Sequence, residues 1–188
     1  MNQRQATASV RGREVGAQIA GVFGLVFVAI NSTALAGALR ATLLVIAGLA
    51  LAAILALSFR SYRQPRTDGA ERSASGSPFG WKYWLIVAIE AVALFGGSRL
   101  ISEMGYPELG IAWVAFIVGT HFFALAVIFR LARFHLLGAI VTVLGLAGFA
   151  IRALGHVEPI ALVSGVLSGF TLLAFGLWAF APSASVHR

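Results

Sequence analysis

Two ionisable side chains stand in the bodies of long apolar runs. Glu90 lies within Tyr83 to Ile101, and His121 lies within Ile111 to Phe129. A carboxylate and an imidazole together can relay a proton, or hold a cationic or hydrogen-bonding ligand. Charged or ionisable groups at bilayer depth are costly, so they usually face other helices and mark a functional site. Lys82 sits eight residues before Glu90, and Arg130 nine residues after His121. At about 1.5 Å of rise per residue, both groups lie about 12–14 Å from the same edge of the membrane. The two runs are antiparallel neighbours joined by a short loop. The spacing therefore predicts that Glu90 and His121 face the bundle interior at one depth and interact directly or through one water. Asn31 and Thr120 are the alternative partners. Ala93 and Gly97 follow on the Glu90 face and would let a second helix approach closely. The competing reading is a structural hydrogen bond between two buried polar groups.

Other chemistry has little support. The chain has no cysteine, which excludes disulfides, thiol catalysis and Cys-ligated metal sites. One His and one Glu are too few for a zinc site. His135, His156 and His187 fall at loops or in the tail. There is no His-Glu-x-x-His, Gly-x-Ser-x-Gly or P-loop pattern, and no paired-aspartate motif for prenyl diphosphates. No catalytic residue, metal or cofactor is expected. The candidate ligand- or proton-binding residues are Glu90, His121, Asn31 and Thr120.

The elements that must position these residues follow from composition. Of 188 residues, 59% are hydrophobic and 11% charged, with mean hydropathy +0.89. A soluble domain carries about 25% charged residues. So much apolar surface needs a bilayer as solvent, and the fold class expected is all-α, a polytopic membrane protein. Six transmembrane helices are read as three antiparallel hairpins: Ala17 to Leu39, Ala41 to Phe59, Tyr83 to Ile101, Ile111 to Phe129, Leu136 to Ile151 and Ile160 to Ala181. Residues 1–188 form a single six-helix domain. Residues 60–82 are its flexible basic loop, rich in Ser, Gly and Pro.

Residues 1–16 read as a polar tail, and Gly37 to Arg40 as a tight turn. Ala34-Leu35-Ala36 has the small-x-small form of a signal-peptidase site, but the apolar run before it is longer than a usual signal segment. Trp113 is placed in the outer aromatic belt, and Gly165-Val-Leu-Ser-Gly169 is a small-xxx-small motif for close helix packing. Arg99 and Glu103 stand at i and i+4, suited to a local ion pair. Arg152 and Glu158 are expected at the outer headgroup level.

The net charge of +7 is concentrated between spans rather than in a nucleic-acid patch. By the positive-inside rule both termini and the 60–82 loop are cytoplasmic, in the plasma (bacterial inner) membrane. The partners expected are the lipid bilayer and not nucleic acid. Anionic lipid at Arg60, Arg63 and Arg66 is an alternative to a merely solvated loop. A homo-oligomer is left open.

Val22-Phe-Gly-Leu-Val-Phe27, Glu90-Ala-Val-Ala-Leu-Phe-Gly-Gly97 and Gly119-Thr-His-Phe-Phe-Ala-Leu-Ala126 give the chain a resemblance. It resembles an uncharacterised family of small six-span membrane proteins of high-GC bacteria. The resemblance implies the six-span fold and carries over no activity. The last hairpin also resembles the Gly/Leu-rich hairpins of HdeD-like acid-resistance membrane proteins, in composition only and without Glu90 or His121. The function expected is transport or binding of a small ligand or proton. The alternatives are a membrane-embedded enzyme acting on a lipid-soluble substrate, and a non-catalytic accessory or stress protein.

Overall fold

Backbone polar groups in a bilayer must bond within their own segment, which leaves helices as the form for long apolar runs. The computed structural model describes residues 3–63, 80–129 and 131–181. They form six long helices and no strand among the described residues. The helices are α1 (Gln3–Asn31), α2 (Gly37–Arg63), α3 (Trp81–Glu103), α4 (Gly110–Phe129), α5 (Arg133–Ala153) and α6 (Glu158–Trp178). A 3₁₀ turn at Pro107–Leu109 leads into α4. Each helix contains a stretch long and apolar enough to cross a membrane. The protein is all-α with six candidate spans, and both ends of the span set lie on one side of the bundle, the terminal side.

The boundaries move where apolarity was a poor guide to turns. α1 ends at Asn31, and Ser32 to Ala36 form the connection, so α2 already starts at Gly37. The apolar Ala34-Leu35-Ala36 had extended the first run past its turn. These three residues belong to that connection, and the helix before them is packed into the bundle. At the other end α2 continues through Arg60 to Arg63. No proline or glycine stands between Arg60 and Arg63 to break it. Arg60 is thus an exposed helical residue. Arg66 and most of the 60–82 segment lie outside the described residues, as does the lipid contact expected there.

The two turns on the far side share one device. Gly105 and Gly155 have φ of 87° and 85°, the left-handed region that favours glycine. Each follows a helix end, with Tyr106 N–H donating to the Ile101 carbonyl and His156 N–H to the Ile151 carbonyl. This six-to-one bond is the Schellman arrangement. The turns are tied together by Arg152, whose Nε lies 2.7 Å from Glu108 Oε1 and whose guanidinium lies 5.0 Å from the Tyr106 ring centroid.

The closest packing runs between hairpins rather than within them. α4 and α5 meet through glycines: Gly119 lies against Thr142, Gly138 against the Gly119 carbonyl, and Gly145 against Phe116 and Ala112. α1 and α6 cross where Gly24 and Gly169 face each other's carbonyls, and Gly165 receives the Asn31 side chain. Gly165 and Gly169 therefore act as the close-approach motif their spacing suggested. Between Ile160 and Leu167, α6 adopts a π-helical segment, Ala161–Val166. There Ser164 Oγ donates to the Leu144 carbonyl of α5 at 2.8 Å, in the space left by Gly148. α2 lies outside α1 and α6, and α3 packs chiefly on α4. None of the α3 window Tyr83–Glu103 is buried.

Candidate functional site

Glu90 stands nine residues into α3 and His121 eight residues before the end of α4. Because the helices run in opposite directions, the two groups reach one level. Glu90 Oε2 lies 3.2 Å from His121 Nδ1. Their side chains keep 19% and 10% of their surface, so the pair is mostly enclosed but not sealed. Its location differs from the expected interior. α3 packs chiefly on α4, which puts the pair in a seam at the edge of the bundle. The shape of the sequence runs could not show this, since lipid-facing and helix-facing surfaces are equally apolar here.

The contact is close without being a formed hydrogen bond. His121 Nδ1 is buried and has no hydrogen-bond partner of acceptable alignment, although the carboxylate is within 3.2 Å. The ring packs edge-on against Phe122, with centroids 6.2 Å apart, and Phe122 packs likewise against Phe134 of α5 at 5.8 Å. The imidazole is therefore braced from the bundle side and meets the carboxylate on the α3 side.

Asn31 and Thr120 are not brought to this pair. Thr120 Oγ1 donates to the Ile117 carbonyl of its own helix at 2.9 Å. Asn31 Nδ2 donates to the Phe27 carbonyl at 2.8 Å, and its side chain fills the space over Gly165 at the α1–α6 crossing. Both do what short polar side chains in apolar helices commonly do: they bond their own backbone.

The seam owes its spacing to Trp113. Its indole lies across α3 in the space that Gly97 leaves, and Nε1 donates to the Ala93 carbonyl at 2.8 Å. Ala93 is one turn from Glu90, so the indole fixes the two helices next to the pair. The signal was present in Gly97 and Ala93, which mark close approach, but nothing in the sequence says which side chain approaches. The expected pair Arg99–Glu103 is present, with 2.8 Å between Nε and Oε1, and is well exposed. Arg152 pairs with Glu108 across two turns, which sequence spacing does not reveal.

Among the described residues no three His, Asp or Glu side chains gather as metal ligands would. A shallow apolar groove on α5, lined by Ala139, Ile140, Val143 and Leu144, offers no polar group. No family model, curated protein or solved structure matches the chain. The class is defined by the fold and the seam: a polytopic all-α protein with a carboxylate and an imidazole meeting between two of its helices.

Proposed function

We propose that this is a small integral membrane protein that binds a proton or a small cationic or hydrogen-bonding ligand at Glu90 and His121, in the service of transport. The observation that carries this reading is the unformed bond between them. A purely structural pair would be expected to close to a well-aligned hydrogen bond, because an unsatisfied polar group in hydrocarbon costs a few kcal/mol. Groups that must accept a ligand are often slack until it arrives. A carboxylate and an imidazole in one seam can pass one proton between them, or share a ligand that donates to one and accepts from the other.

One observation favours a second reading. The seam lies beside the most lipid-exposed helix, so a lipid-soluble substrate could enter sideways and meet an acid and a base. That would make the protein a membrane-embedded enzyme. An accessory or stress role has no comparable feature behind it. The proposed setting is the bacterial inner membrane, with both termini cytoplasmic because the basic residues cluster on that side. Membership of the six-span family it resembles belongs to the same proposal.

The test is proton flux in proteoliposomes holding a pH-sensitive dye. The full-length protein is expected to dissipate an imposed pH gradient, and Glu90→Gln and His121→Ala to fall to the rate of empty liposomes while still inserting and folding. Flux unchanged in both variants sinks the relay. If both variants fail to fold, the pair serves packing alone.

A further inference from the structure

Three arginines stand on the far side of the bundle, and two of them have a carboxylate. Arg99 lies 2.8 Å from Glu103, and Arg152 lies 2.7 Å from Glu108. Arg40 is the third. Among the described residues it takes part in no ion pair, and its Nε is buried without a hydrogen-bond partner. Glu158, the remaining carboxylate on that side, is exposed and does not pair with it. The position of Arg40 on α2 explains its surroundings. It precedes Leu43, Leu44 and Ala47 on one helix face. Ala47 is fully buried, and Leu43 and Leu44 pack against the same core. The stem of Arg40 continues that inward face and encloses Nε, while the residue as a whole is half-buried. The tip of the side chain is left near the first residue of the candidate span Gly37–Ser61. At such an end a long basic side chain reaches the headgroup level. The place is costly for a lone cation. A guanidinium always carries its charge. Arg40 also stands in the first turn of α2, where the helix end is itself partly positive.

We infer that Arg40 binds the phosphate of a phospholipid headgroup, in the leaflet on the side opposite the termini. The missing partner must be anionic, must accept hydrogen bonds and must lie at the end of a span. A phosphodiester meets all three conditions, and its two free oxygens match the fork of a guanidinium. It also arrives with acyl chains. The outward face of α2 below Arg40 is apolar and open to them, with Val45 60% and Leu49 65% exposed. A phosphate at the headgroup level needs no cavity inside the bundle. This contact is separate from the one expected at Arg60 and Arg63, which lie at the opposite end of α2. It does not rest on the Glu90–His121 reading either, because that pair belongs to α3 and α4.

The test is thermal unfolding of the purified full-length protein in dodecylmaltoside micelles. Three additions are titrated: phosphatidylglycerol, a phosphate-free galactosyl diacylglycerol with the same acyl chains, and inorganic phosphate. Tm is expected to rise saturably with phosphatidylglycerol. Arg40→Gln is expected to raise the half-saturating mole fraction about tenfold, the loss of one charge-assisted contact. Arg99→Gln removes a cation that is already paired, and is expected to keep the parent value. Glu90→Gln is expected to keep it too, which separates this site from the α3–α4 seam. Equal phosphatidylglycerol titrations of the parent and Arg40→Gln overturn the inference. So does an Arg40-dependent response to the galactolipid, which would make the contact one of acyl chains. An Arg40-dependent response to inorganic phosphate as strong as that to the lipid would mark a soluble-anion site and overturn the lipid assignment. If Arg40→Gln does not fold, Arg40→Lys decides. It keeps the charge and loses the fork, and is expected to raise the half-saturating mole fraction. The parent value in Arg40→Lys would then overturn the inference.

Discussion

α4 presents one face to α5 and another to α3, and the two contacts are built on opposite principles. Toward α5 it is packed backbone to backbone, through Gly119, Gly138 and Gly145. Toward α3 the contact is made by long side chains: the Trp113 indole over Gly97, and His121 against Glu90. Glycine contacts give dispersion over many atoms at short range and leave one arrangement. A seam held by an indole and an unaligned carboxyl–imidazole contact has slack. Chemistry that needs a ligand to enter belongs in the second kind of interface, and the ionisable pair is found there.

The largest expected effect comes from breaking the first interface. A Cβ at Gly145 would lie 2.8 Å from Phe116 Cα and 2.9 Å from the Ala112 carbonyl oxygen, both backbone atoms that cannot turn aside. Gly145→Ala should destabilise the fold by about 1–3 kcal/mol, the usual cost of overpacking. Chemical denaturation in mixed micelles measures it, and an unchanged midpoint would show that α4 and α5 are not so tightly joined.

The seam should yield less. Trp113→Phe keeps the ring and removes the donor to the Ala93 carbonyl, for a loss of about 1 kcal/mol. It should also weaken proton flux through Glu90 and His121 by loosening the helices beside them. A variant as stable and as active as the parent would remove Trp113 from any positioning role. Next comes the tie between the turns. Arg152 and Glu108 keep 33% and 22% of their side-chain surface, so their ion pair is screened. A double-mutant cycle on Arg152→Ala and Glu108→Ala should give a coupling of about 1 kcal/mol or less, shrinking with salt. A coupling several times larger would mean that the turns hold the hairpins together.

The smallest effect should have the opposite sign. Gly96 on α3 has open space where a Cβ would stand. Gly96→Ala should therefore be neutral or stabilising by up to about 1 kcal/mol through helix propensity alone. Set beside Gly145→Ala, it asks whether two glycines of one bundle differ only in their neighbours. Destabilisation at Gly96 would reveal a contact to α3 that the folded monomer does not have.

Much of the seam was readable because depth along a helix is counted in residues. Lys82 precedes one apolar run and Arg130 follows the other, and a fixed rise per residue puts Glu90 and His121 at one level. The Arg99–Glu103 pair was readable for the same reason, as both ends lie on one helix. Glu14 was not. It sits among Arg4, Arg11 and Arg13 in a stretch whose composition says solvent, yet it is 1% exposed in the folded bundle. The contact of Trp113 with α3 was not readable either, because an indole near a helix end is equally at home in the headgroups or against a neighbour's glycine.

Sequence alone determined that this chain lies in a bilayer as six helices, since 59% hydrophobic residues in runs of membrane length admit no other solvent. It also determined the levels of Glu90 and His121 along their helices. Only the tertiary structure decided which faces meet. Where lipid and helix neighbours are equally apolar, amphipathic periodicity no longer marks the buried side. The rotation of each helix is then set by where glycines permit contact, and that depends on pairs of residues far apart in the chain, such as Gly24 with Gly169 and Gly119 with Thr142.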